Sequence, residues 1–141
     1  MIDPILITRK INLIAKDLDA LKPYGQMSLD AYLSDSINEV IAERYLERII
    51  GRIIDINYHI VTELGHPPPK DYFESFIELG RLRILPAEFS RTLAQAAGLR
   101  NRIVHEYDEV DEQKIHEALP IVLQDIPRYI SCVHQLLESL K

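Results

Sequence analysis

Between residues 100 and 107 the chain reads Arg100-Asn101-Arg102-Ile103-Val104-His105-Glu106-Tyr107, setting two guanidiniums and an imidazole close together in sequence. An imidazole, with a reference pKa of about 6.5, takes or gives a proton near neutral pH. A guanidinium fork offers paired donors to phosphoryl oxygens, which a lysine point charge does not. The set therefore suits phosphodiester chemistry: one group moves protons while the other offsets the negative charge that builds in the transition state.

The helix that must carry these residues raises a geometric problem. At ~100° per residue, Phe89, Leu93, Ala96, Ile103, Val104 and Tyr107 project within about 60° of one direction, and Arg100 lies about 20° from it. A guanidinium thus stands on an apolar stripe, where an unpaired charge is costly. It needs a carboxylate partner, a route to solvent or an anionic ligand, and a carboxylate on a facing helix is the ordinary expectation. His105 is turned about 140° from Arg100 on a regular helix. Either the helix ends or distorts near Val104, or each residue meets its counterpart from a second protomer. The acidic run Glu106, Asp108, Glu109, Asp111, Glu112 favours an ending there, because carboxylates suit the start of a helix better than its negative end. A lone histidine is most often a surface or structural residue, and the wheel makes Tyr107 a core side chain whose hydroxyl reaches the rim.

Other chemistries lack support. No two of His59, His66, His105, His116 and His134 stand at i, i+3 or i, i+4, so the usual helical metal-ligand pair is missing and neither a metal nor a cofactor is expected. The glycine patterns of P-loops, dinucleotide folds and nucleophile elbows are absent. Cys132 is the single cysteine, so an internal disulfide framework is excluded and a reducing, cytoplasmic compartment is expected.

Composition bounds the scaffold. A chain of 141 residues with 47% hydrophobic and 27% charged side chains predicts one domain over residues 1–141 rather than a disordered chain. The net charge of −6 rules out bulk attraction for nucleic acid. Between Arg81 and His105, however, five arginines face one carboxylate, Glu88, which gives phosphate a local place to bind. Charged residues interrupt every apolar stretch, so neither a membrane span nor a signal peptide is expected.

Periodicity predicts an all-α bundle of about five helices. Ile7, Ile11, Ile14, Leu18 and Leu21 mark a first helix ending near Leu21, before Pro23 and Gly25. A second helix begins between Ser28 and Ser34 and runs to Leu64, where Gly65-His66-Pro67-Pro68-Pro69 stops it. Its apolar residues, from Val40 to Leu64, exceed one stripe, predicting a central helix with two intramolecular faces; a homodimer seam is the alternative for part of its surface. Arg44, Arg48 and Arg52 line up at i, i+4, i+8, a spacing able to extend the phosphate patch, but with Glu39, Glu43 and Glu47 alongside them the favoured reading is an ordinary solvated face. Gly51, mid-helix at a cost of about 1 kcal/mol, suggests close helix contact. A short third helix spans Asp71 to Leu79 with Gly80 as its terminating residue. The fourth opens at Pro86 and runs into the motif; the fifth, capped near Asp111, runs to Leu140 with Pro120 and Pro127 expected to bend or interrupt it.

The motif R-x-x-x-x-H-x-Y, together with Glu43-Arg44-Tyr45-Leu46-Glu47, Asp55, His59-Ile60 and Gly98-Leu99-Arg100-Asn101 in this order, resembles the HEPN superfamily in its HepT subgroup from about residue 30 to the C-terminus. The resemblance implies a homodimeric helical bundle acting as the toxin of a toxin–antitoxin pair. It implies a metal-independent endoribonuclease site built from the arginine and histidine of both protomers. It also implies a cognate minimal nucleotidyltransferase antitoxin of the MntA type, which silences the toxin by moving AMP from ATP onto the motif tyrosine. Carried onto this chain, Arg100 and His105 become the catalytic candidates, Asn101 and Arg102 the candidate substrate contacts, and Tyr107 the candidate AMP acceptor. The requirement for two proton transfers agrees, since one motif holds one histidine and a twofold seam supplies two. A non-catalytic helical module that binds a nucleotidyltransferase or nucleotides is the competing reading, because a fold by itself does not fix function.

Overall fold

The computed structural model describes residues 1–141 as six α-helices and one 3₁₀ turn, without a strand. Helix α1 (Pro4–Gly25) starts where Asp3 accepts hydrogen bonds from the Ile5 and Leu6 amides at 3.0 and 3.1 Å. Ile7, Ile11, Ile14, Leu18 and Leu21 are all buried, as their spacing requires. The helix runs past the expected stop at Leu21 and includes Pro23. Gly25 explains the extension: a Cβ there would collide with Leu123, so the last turn of α1 is held by direct packing on the C-terminal helix.

Where one long second helix was expected, there are two. Ser28 caps a short α2 (Leu29–Leu33), and Asp35 caps α3 (Ser36–Glu63), each side chain accepting an amide of the turn it opens. Ser34 opens neither helix; it is the C-terminal cap of α2, its hydroxyl donating back to the Ala31 carbonyl at 2.6 Å. Gly65, at φ 87°, ends α3 by letting the His66 and Gly65 amides reach the Val61 and Thr62 carbonyls.

Helix α3 packs on α1, on α4 (Tyr72–Arg81) and on α5 (Ala87–His105), burying Ile49, Ile50, Ile53, Ile54, Ile56, Ile60 and Val61. The expectation of a central helix with more than one intramolecular face is met. Its first turns are not covered, since Ile37 and Val40 are exposed. Gly80 lies inside α4 rather than after it, because a Cβ there would strike the Ser90 side chain where α4 and α5 cross. Arg83 takes the left-handed position that ends α4, at φ 60°.

After α5 comes a 3₁₀ turn (Tyr107–Glu109); Asp111 then caps α6 (Glu112–Ser139), accepting the Gln113 and Lys114 amides. Pro120 and Pro127 do not interrupt α6. Both stand on its exposed side, so their rings meet no neighbouring helix. Inside, the Tyr129 hydroxyl donates to Asn57 Oδ1 at 2.6 Å, Asn57 donates to Ser75 Oγ at 3.2 Å, and Ser75 donates to the Tyr72 carbonyl at 2.7 Å. This buried chain of bonds ties α6 and α3 to the first turn of α4, and burial pushes the Tyr129 phenol well above its ordinary pKa. No helix is long and apolar enough to cross a membrane.

The arginine row on α3 is not an ordinary solvated face. Arg52 donates to Asp17 at 2.6 Å, Arg48 forms an ion pair with the same carboxylate oxygen at 3.1 Å, and Asp17 is 2% exposed on the inner side of α1. Only Arg44 keeps a surface pairing, with Glu47. Sequence spacing put the three on one side but gave no sign that an aspartate of α1 lies across from two of them. Because the arginine heads remain partly hydrated, Asp17→Ala is expected to cost about 2 kcal/mol, below the range for a fully buried pair. A urea titration reads it as a lower midpoint with unchanged slope.

Candidate functional site

Arg100 sits about one and a half turns before the end of α5, and the α4–α5 crossing brings Tyr72 beside it. The guanidinium carbon stands 5.2 Å from the Tyr72 ring centre, a cation–π contact, and Tyr72 in turn meets Tyr58 edge-on at 6.3 Å. Its Nε is buried without a hydrogen-bond partner, and no carboxylate pairs with it. The expected ion pair with a facing carboxylate is therefore absent. What Arg100 has instead is an opening: it lines a cavity of about 580 Å³ together with Arg48, Gly51, Arg52, Tyr58 and Tyr72. Of the three conditions that make an inward arginine tolerable, a route to solvent and room for an anion are the two present.

Gly51 corrects a second expectation. No other helix approaches it; a Cβ placed there meets nothing within 4 Å, because the residue faces the cavity.

The other motif residues lie apart from this cavity. Asn101 is exposed, and Arg102 folds back beside Gly98 and lines a separate depression of about 210 Å³ between α3, α5 and α6. His105 is the last residue of α5 and is exposed. The helix is regular through it, so the large angle between Arg100 and His105 persists within one protomer. Tyr107 is not a core residue: the chain leaves the helix at Glu106, and the ring stands 70% exposed in the 3₁₀ turn. The wheel fails for Tyr107 because a wheel extends only as far as its helix.

Sequence reading did not select Tyr58, Tyr72, Arg48 or Arg52 as site residues. Gly51 was the available signal: a glycine kept mid-helix without turn or contact marks open space as well as close contact.

Immediately beyond the motif, α6 opens in an acidic nest. The Tyr32 hydroxyl donates to Glu112 at 3.5 Å, and Glu43 and Glu39 stand nearby on α3. Burial first, then repulsion from Glu43 and Glu39, lifts the Glu112 carboxyl to about 7, and burial likewise raises Glu43. The folded chain thus holds more protons than the unfolded one between the ordinary carboxylate range and about 7. The stabilisation is complete below that range and is lost as pH rises through about 7. Glu112→Gln is expected to flatten this slope and raise the thermal midpoint at pH 8, while changing it little at pH 5.

Fold and site together define an all-α bundle whose motif helix ends in a histidine and carries an unpaired arginine against an arginine- and tyrosine-lined cavity. A profile of the family described as "Ribonuclease HepT-like" matches residues 14–133. The chain is 40% identical over 140 residues to the "tRNA nuclease HepT" of Aphanizomenon flos-aquae, covering 99% of this chain and 95% of that protein. It is 31% identical over 94 residues to a "Putative RNase" of Archaeoglobus fulgidus, covering 65% and 69% of the two chains. The chain belongs to the HepT-like ribonuclease family. The fold matches a tri-AMPylated Shewanella oneidensis HEPN toxin solved in complex with an MNT antitoxin, with a TM-score of 0.84 at 22% identity, covering 92% of this chain and 97% of that one. It matches the Bacillus subtilis cytosolic protein YutE equally well, with a TM-score of 0.84 at 14% identity over 98% and 92% of the two chains.

Proposed function

We propose that this protein is a ribonuclease toxin that cleaves RNA without a metal ion and is silenced by AMP transfer to Tyr107. The observation that carries the reading is Arg100, a half-buried guanidinium whose Nε has no partner and which no carboxylate pairs, facing a cavity large enough for a nucleotide. The 2′-hydroxyl loses its proton to one imidazole and attacks the adjacent phosphorus; the bond to the 5′-oxygen breaks, and a second imidazole protonates that oxygen. Arg100 donates to the phosphoryl oxygens as their charge grows, and Asn101 and Arg102 contact the strand. The two imidazoles are His105 of each protomer in a homodimer. The continuous helix through His105 supports this, since Arg100 and His105 of one chain point different ways.

In silencing, the Tyr107 phenol attacks the α-phosphorus of ATP on a cognate MntA-like nucleotidyltransferase; pyrophosphate leaves and the phenolic proton is lost. The exposure of Tyr107 supports it as acceptor, and the AMPylated Shewanella oneidensis toxin supports the chemistry. The 40% identical relative named as a tRNA nuclease makes tRNA the first substrate to try. Purified protein is expected to cut a tRNA pool in EDTA and to arrest growth when expressed without its partner. Intact tRNA together with normal growth would return the protein to the class of non-catalytic interaction modules.

A further inference from the structure

The cavity in front of Arg100 contains more than the motif requires. Its floor is Gly51, kept in the interior of α3 where alanine would favour the helix and where no neighbouring helix demands the small residue. One wall is aromatic, with Tyr58 and Tyr72 edge to face and Tyr72 beneath the Arg100 guanidinium. Arg48 and Arg52, on the same helix as Tyr58, also line the space and pair with Asp17, which lies outside it. Two carboxylates also line the space, and each has its own cation: Asp55 is held by Lys10 at 3.1 Å and Glu47 by Arg44 at 3.3 Å. One unpaired guanidinium, two more that share the single carboxylate of Asp17, an aromatic wall and an empty floor together suit a group with both a flat ring and a phosphate.

We infer that this cavity is a nucleotide subsite, which takes one unpaired nucleotide of the RNA strand with its base against Tyr58 and Tyr72 and its phosphate toward Arg100, Arg48 and Arg52. The inference rests on the ribonuclease reading and deepens it by giving the strand a fixed register on the enzyme. A single strand is required, since only an unstacked base enters a concave pocket; a helical stem presents its bases inward. Gly51 is then a specificity device: its missing side chain is the volume the base occupies. Tyr72 acts twice, as stacking surface and as the positioning residue that holds the guanidinium.

The test uses the full-length protein in its native oligomer. Affinity for a fluorescein-labelled all-2′-deoxy single strand, which lacks the attacking hydroxyl, is measured beside KM and kcat on the matching RNA. Gly51→Leu fills the floor and Tyr72→Leu removes the wall; each is expected to weaken binding and raise KM about tenfold or more, with a much smaller fall in kcat for Gly51→Leu. Tyr72→Phe, which keeps the ring, is expected to restore binding. Unfolding midpoints and oligomeric state accompany each variant. Folded Gly51→Leu and Tyr72→Leu proteins that bind and cleave as the wild type does would overturn the subsite. So would a Gly51→Leu protein with altered oligomeric state alongside a Tyr72→Leu protein with unchanged affinity, which would make the cavity a subunit seam. If free AMP binds and is lost in both variants while the strand binds unchanged, the cavity is a mononucleotide site and the proposal also falls. Should the wild type cut no RNA, the ribonuclease reading fails on that arm, and the binding arm still decides whether the cavity takes a strand.

Discussion

His105→Ala is expected to slow RNA cleavage by about 10² to 10⁴-fold, the range that one positioned acid or base contributes. The substitution touches an exposed residue at the end of α5, so the fold and the unfolding midpoint stay as they are. Arg100→Ala removes the cation at the phosphoryl oxygens, and Arg100→Lys fails to rescue it, because an ammonium has no fork and stacks poorly on Tyr72. The proposed dimer makes a sharper demand. If each site draws one imidazole from each protomer, then mixing wild type with excess His105→Ala protein drives activity toward the variant's level as mixed dimers form. Activity that follows wild-type subunit number instead would show that each protomer works alone. That result would remove the two-histidine mechanism while leaving Arg100 in place.

Tyr107→Phe is expected to abolish AMP addition, seen by intact mass after co-expression with the cognate nucleotidyltransferase, and to leave the protein toxic in the presence of its partner. The expected difference is complete rather than graded, since phenylalanine has no nucleophile. The physical basis is the position of the ring: at 70% exposure in a 3₁₀ turn, the hydroxyl is open to a second active site without any unfolding. A phosphodiester there carries negative charge two residues from His105, where it repels the substrate backbone and occupies the approach to the motif. Mass gain that persists in Tyr107→Phe would move the acceptor elsewhere.

Much of the scaffold is legible from one-dimensional periodicity. The apolar steps of α1, the stop at Gly65, the start of α4 near Asp71 and the cap at Asp111 are local events, decided by side chains within a turn of the backbone they satisfy. The misreadings share a cause. Pro23 lies inside α1 where α6 packs on Gly25, and α6 runs through Pro120 and Pro127, both of which stand on its exposed side. Arg48 and Arg52 turn inward because Asp17 waits on another helix. Each outcome depends on a partner distant in sequence or on which side faces solvent.

Helix periodicity and side-chain identity are local properties, and they fix the helical class, the motif and the order of its chemical groups. They also show that Arg100 must have some compensation for its place on an apolar stripe. Only the tertiary structure decided what that compensation is: an aromatic face and an open cavity in place of a carboxylate. It alone put Tyr107 in solvent and made Gly51 the floor of a cavity. The reason is that a charge or a missing side chain acquires meaning from what stands opposite it, and the helices that stand opposite are set by burial of the whole core.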